Sequence, residues 1–242
     1  MNADASTPTS RRDRIELISA VLIGLASVLT AVATYQEGAL DGEVRDQNTE
    51  ALAQTSYAND VYNDASAQQA IERDWFFSWN VAHWNDQPAA AYLADAMPPE
   101  VWVLIEEWNA AEDDGILDPF SPEAVESYPA YGDLPSVGLL MRGDDHMGAA
   151  QCAIFAGRVA DNRGGWLSLS VIFLAITLVT AGLAALLKSA TAQYVVLGTA
   201  VVSLLFGATL LVAGGDRDGA QAEVAEQVFE SPDEADLCVD LE

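Results

Sequence analysis

IELISAVLIGLASVLTAVATY, residues Ile15–Tyr35, carries one charged side chain, Glu16, close to its start. At 1.5 Å per residue a helix of this length reaches roughly 30 Å, the thickness of a bilayer's hydrocarbon core. Two later runs match it: WLSLSVIFLAITLVTAGLAALL (Trp166–Leu187) and YVVLGTAVVSLLFGATLLVA (Tyr194–Ala213). Lipid offers no partner for a bare amide, so a spanning segment must satisfy its own backbone as a helix. The sequence therefore predicts an all-α integral membrane protein with three transmembrane helices and an extramembrane helical hairpin or bundle.

The predicted order starts with a disordered, basic cytoplasmic N-terminus (1–14) and a first span (15–35). An extracytoplasmic helical domain (36–165), a second span (166–187), a cytoplasmic loop (188–193) and a third span (194–213) follow. An acidic tail (214–242) closes the chain. Basic residues near span ends mark the cytoplasmic side. Arg11, Arg12 and Arg14 precede the first run, and Lys188 sits between the second and third, so three spans make the two placements agree. Arg158, Arg163 and Arg217 lie near span ends on the opposite side and argue the other way. Ala31-Val32-Ala33 resembles a signal-cleavage site, but the apolar run is long for a signal, and an uncleaved signal anchor is the preferred reading.

This orientation puts Cys152 and Cys238 on the same outer side, where an oxidising compartment permits a disulfide. A loop of that size would stabilise by roughly 4–5 kcal/mol in the chain-entropy picture. Two unrelated thiols fit the sequence equally well.

Acidic side chains number 37 against 10 basic ones, for a net charge of −27, and Lys188 is the only lysine. Such a surface repels nucleic acid and anionic headgroups, which argues against both as partners. Adaptation to high salt, or a GC-rich genome that replaces Lys with Arg, fits the same composition. The acids are scattered rather than clustered, as on a solvated face.

Between the first two spans, the Ala-, Gln- and Glu-rich stretch after Tyr35 favours continued helix to near Asn63, weakened at Gly38 and Gly42. Apolar residues at Ile71, Trp75, Trp79, Ala82, Tyr92 and Leu93 predict a second helical segment over Ala67–Ala96, started or kinked by Pro88. Pro98-Pro99-Glu100 reads as a helix start with Val101, Leu104, Ile105 and Trp108 on its apolar face. The proline- and glycine-rich stretch Asp113–Ser136 reads as loop, and a last helix runs from Val137 into the second span.

Small residues form stripes in the spans: Ala20, Gly24, Ser27 and Ala31; Ser170, Thr177, Ala181 and Ala184; Thr199, Ser203 and Gly207. They would let helices approach closely, within one chain or in a homo-oligomer.

No phosphate-binding glycine loop or nucleophile elbow is present, and the sequence assigns no catalytic residue, cofactor or metal. His83 near Asp86, and His146 after Asp144-Asp145, lack metal-motif spacing. Arg142-Gly143-Asp144 spells an adhesion tripeptide, but a helical setting would hide it. The aromatic group Trp75, Phe76, Phe77, Trp79, Trp84, Trp102 and Trp108 reads as the core of the outer bundle, with a binding groove or membrane-resting patch as the alternative.

RDRIELISAVL leading into ATYQEGALDGE, then YLADAMPPEVWVLIEEW, DPFSPEAVESYPAYG and AGRVADNRGGWLSLSVIFLAITL, resemble a family of uncharacterised prokaryotic membrane proteins. The likeness runs from Arg11 to about Ala213. It implies one N-terminal span, an extracytoplasmic helical region and two C-terminal spans, and no activity. The functional expectation is a non-enzymatic, membrane-anchored interaction or accessory protein that partners the lipid bilayer and an unidentified membrane or extracytoplasmic protein. An oligomeric channel or transport component is the alternative.

Overall fold

The computed structural model describes residues 11–111, 118–121, 124–216, 219–221, 224 and 238. The predicted lead 1–10, most of the predicted tail and residues 113–117 and 122–123 of the predicted loop lie outside the described residues. The fold is all-α, and three of its helices are long and apolar enough to cross a membrane. The order is α1 (Arg11–Asn85), α2 (Gln87–Ala96), α3 (Pro99–Ala110), α4 (Ala124–Ser127), a 3-10 turn (Pro129–Asp133), α5 (Pro135–Leu186) and α6 (Ala190–Gly215). The chain divides into two compact units, a membrane unit (Met1–Thr49 with Cys152–Glu242) and a helical unit (Glu50–Gln151).

Helix α1 contradicts the expected interruption between Asn63 and Ala67. Its 75 residues continue to Asn85. The segment DASAQQA contains neither proline nor glycine, and the buried positions Ala58, Ala65 and Glu72 pass through it at unbroken seven-residue spacing. The break comes at Asp86, whose extended backbone leaves the helix while its carboxylate caps α2 by accepting from Ala89 N at 3.3 Å. Pro88 then lies in the first turn of α2, where its missing N–H costs nothing. Arg11 and Arg14, expected in a disordered lead, are already helical.

In the membrane unit, α5 and α6 run antiparallel. Ser170 Oγ donates to Gly207 O at 2.8 Å, Thr177 Oγ1 to Ala200 O at 3.4 Å, and Arg163 Nε to Gly214 O at 3.2 Å. The backbones come close enough that a Cβ added at Gly207 would stand 3.0 Å from Leu174 Cγ and 3.3 Å from Ser170 O. Lipid tails are as apolar as leucine, so this close packing, rather than escape from water, drives association. The buried face of α1 here is Ile15, Ser19, Leu22, Ala26, Ala33 and Leu40. Leu22 packs with Ala181, Ala184, Leu197 and Ala200, and Leu40 with Ala160 and Leu167. Only Leu187–Ser189 separate α5 from α6, fewer than the six residues expected. Tyr35 and Trp166 flank one end of the spans and Tyr194 the other, as aromatic side chains do at headgroup level.

The helical unit is built on the 50–85 part of α1 and the 135–151 part of α5. Its core joins Phe76 and Trp79 to Met97, Val101, Leu104 and Ile105, closed by Phe120, Tyr128, Tyr131 and Leu134. The stretch expected to be loop carries α4, the 3-10 turn and the start of α5. Pro129 and Pro135 sit in first turns, where proline starts helices instead of breaking them. Glu107 Oε2 accepts from Ala130 N at 3.0 Å, tying the 3-10 turn to α3. Arg73 donates to Phe120 O at 2.8 Å and faces Asp118 at 3.6 Å.

Glu72 is 1% exposed, and its carboxylate accepts from Ser136 N at 3.0 Å and from Ser136 Oγ at 2.5 Å. It therefore sits against the first turn of α5, where free amides and the helix dipole favour negative charge. Gln68 Nε2 adds a third donor at 3.1 Å. Replacing Glu72 with Leu strands these donors and should cost about 2–3 kcal/mol, read as a lowered midpoint for chemical unfolding of the helical unit. Glu72→Gln, which keeps an acceptor, should cost less.

Gly207→Leu should destabilise the spans by about 1–3 kcal/mol through overpacking. Gly24→Leu should be close to neutral in a monomer, because nothing lies within 4 Å of a Cβ at Gly24. Thermal inactivation in detergent compares the two; equal effects would contradict the packing described.

Candidate functional site

The end of α1, with α2 and α3, frames an open groove of about 870 Å³ in the helical unit. Trp79 and His83 come from α1, Ala90 and Ala94 from α2, and Trp102 and Glu106 from α3. Helical geometry explains the grouping: Trp79 and His83 are four residues apart, as are Trp102 and Glu106, so each pair shares a face. Alanines on α2 leave the volume empty, because they add no side chain beyond Cβ.

Trp79 meets Trp102 edge to face, with centroids 5.7 Å apart and planes at 75°. His83 lies over Trp79 at 4.9 Å and meets Trp84 at 5.5 Å. Trp79 is buried and Trp102 half-buried, whereas His83 and Glu106 are exposed. The floor is therefore aromatic, and the polar groups stand at the rim. Gln87 and Asn109 complete the polar part of that rim.

A second surface lies on another face of the same α1 segment. Phe77, Val81 and Trp84 follow at helical spacing and are 52%, 64% and 78% exposed. The aromatic group read as core is thus divided. Phe76 and Trp79 are buried, and Trp75, Trp102 and Trp108 pack against the core, while Phe77 and Trp84 face outward.

Among the other residues singled out, Cys152 and Cys238 are joined by a disulfide with their Cα atoms 5.1 Å apart. Beside it Phe155 and Val159 of α5 pack with Ala220 and Val224. Ser203 and Gly207 are buried between spans, whereas Ala20, Gly24, Ser27 and Thr199 are exposed on the single chain. His146 is held by Gln54 Oε1 at 2.7 Å and lies against Tyr57. His83 and Asp86 are separated in role, one at the groove and the other capping α2. No group of three or more His, Cys, Asp or Glu is arranged for a metal among the described residues.

Arg142-Gly143-Asp144 lies within α5, so it does not form an extended loop. Gly143 is covered by the Tyr62 ring, and Tyr62 donates its hydroxyl to Asp144 Oδ1 at 2.6 Å. A Cβ at Gly143 would fall 2.5 Å from Tyr62 Cε1, so glycine is required by the close approach of the ring.

The groove itself was hard to find in the sequence. Trp79, Trp102 and His83 are conspicuous, but Gln87, Ala90, Ala94 and Asn109 are ordinary helix residues. The usable signal is that Trp102, Glu106 and Asn109 share one face of α3, where an aromatic residue stands beside polar ones.

The fold defines a multi-pass, all-helical membrane protein with a separate helical unit between its first two spans. No family model, curated protein or solved structure matches the chain.

The hydrogen bond to Asp144 and the adjacent carboxylate charge raise the Tyr62 pKa above the ordinary 10.0. The folded state thus holds this proton more tightly than the unfolded chain does. The contribution is complete below pH 10 and disappears as pH rises through the folded value. Tyr62→Phe should remove this alkaline loss, which thermal melts on either side of pH 10 would reveal.

Proposed function

We propose that this protein is a non-catalytic, membrane-anchored interaction or accessory protein that presents its helical unit on the extracytoplasmic side. The observation that carries the reading is the exposed Phe77–Val81–Trp84 face on α1. Contiguous exposed aromatic and aliphatic side chains on an otherwise acidic surface mark a contact site for another protein. The partner is an extracytoplasmic or membrane protein with an apolar patch.

Two features support the orientation. Arg14 and Lys188 lie at one end of the spans, and positive charge stays cytoplasmic. The Cys152–Cys238 bridge belongs at the other end, in an oxidising compartment. A channel built from several copies is the weaker reading, because most of the span hydroxyls are already engaged, buried Ser19 being an exception. Ser170 and Thr177 bond α6 carbonyls, and Ser27 and Thr199 bond carbonyls of their own helices at 2.8 and 3.1 Å.

Two experiments test the proposal. On intact cells, a membrane-impermeant maleimide should label Cys152 and Cys238 only after an impermeant reductant is added; labelling that requires lysis would overturn the orientation. In purification from native membranes, a stoichiometric partner should be retained by the parent protein and lost with Phe77→Ser/Trp84→Ser. Retention by that variant would remove the apolar face from the interface.

A further inference from the structure

The geometry points to the groove of Trp79 and Trp102 as a binding site for the quaternary ammonium head of a small organic cation. It rests on the groove rather than on the apolar face, so it goes beyond the partner-binding role and stands or falls separately. Three observations converge on this ligand class.

The first is the aromatic corner. Trp79 is 4% exposed and overlaid by His83, so a group seated in the groove meets chiefly the half-buried indole of Trp102, which stands at 75° to Trp79. A cation held near an indole face is attracted by its quadrupole, and a methylated ammonium gains dispersion contact besides. Such a head sheds its water easily and needs no hydrogen bond from the α2 wall, which offers alanine methyls.

The second is charge. Glu106 stands at the rim, and no lysine or arginine lines the groove among the described residues. An anion would find no permanent counter-charge, whereas a cation meets a carboxylate and the field of a chain with net charge −27.

The third is size. About 870 Å³ lies within the range of small-molecule sites and exceeds what the head alone requires. Gln87 and Asn109 can then bond a polar body attached to the head. A neutral saccharide also stacks on tryptophan and can donate hydroxyls to Glu106, but it would gain nothing from the net charge.

Calorimetry on the full-length protein in detergent tests the inference with choline as probe. Choline should bind saturably, and 3,3-dimethylbutan-1-ol, which has its shape without its charge, about tenfold or more weakly. Trp102→Ala should weaken choline binding about tenfold, and Trp102→Phe, which keeps an aromatic face, by clearly less. Glu106→Gln, at an exposed position that leaves the core untouched, should weaken it about threefold. Absence of saturable choline binding by the folded parent protein would overturn the assignment. So would equal affinity for the uncharged analogue, or preferential binding of a neutral disaccharide. The weakened choline binding of Trp102→Ala and Glu106→Gln, with the membrane partner still retained, would confirm that the two surfaces act independently.

Discussion

Close approach of helix backbones is the constraint on which the rest of this structure depends. In hydrocarbon, burying another leucine gains little, so helices associate where side chains are small enough for carbonyls to be reached. Ser170 and Thr177 on α5 do this by donating to carbonyls of α6, and Gly207 and Gly214 leave room for Leu174 and Leu167. The helical unit follows the same rule in water. There Ala51, Ala58 and Ala65 recur every seventh residue on α1, and Gly143 admits the Tyr62 ring. A seven-residue recurrence keeps one narrow seam facing its partner, so small side chains need occupy only that seam.

That economy on the seam frees the other faces. At the end of α1, Trp79 belongs to the buried series, His83 stands at the groove, and Phe77, Val81 and Trp84 point outward. One helical segment thus contributes to the core, to a concave aromatic site and to a convex apolar surface. The division follows from 3.6 residues per turn, which carries neighbouring positions to different sides. Buried Glu72 belongs to the same design: it ties α5 to α1 at the unit's core without interrupting the apolar packing around Phe76.

The spans were legible because long uninterrupted apolar runs have few other physical explanations, and the start of α3 because two prolines and a glutamate suit a first turn. The unbroken course of α1 was legible only in the recurrence of Ala58, Ala65 and Glu72, a weak pattern in a chain rich in alanine. For the same reason composition did not reveal which small residues face inward: Ala20 and Gly24 look like Ala26 and Ala33, yet only the latter are buried. Pro129 and Pro135 read as breakers when their positions relative to a helix start were unknown. The groove was the least visible, since three segments distant in sequence create its shape and most of its lining is alanine.

The connection Leu187–Ser189 has a consequence for how the chain enters the bilayer. It is too short to let the second and third spans part, and Gln193 closes it by donating to Leu187 O at 2.7 Å. The two helices must therefore be integrated as a single hairpin, carrying the turn with its lysine to one leaflet. Neither can slide vertically without the other, so any adjustment to a thinner or thicker bilayer falls on the pair as a whole.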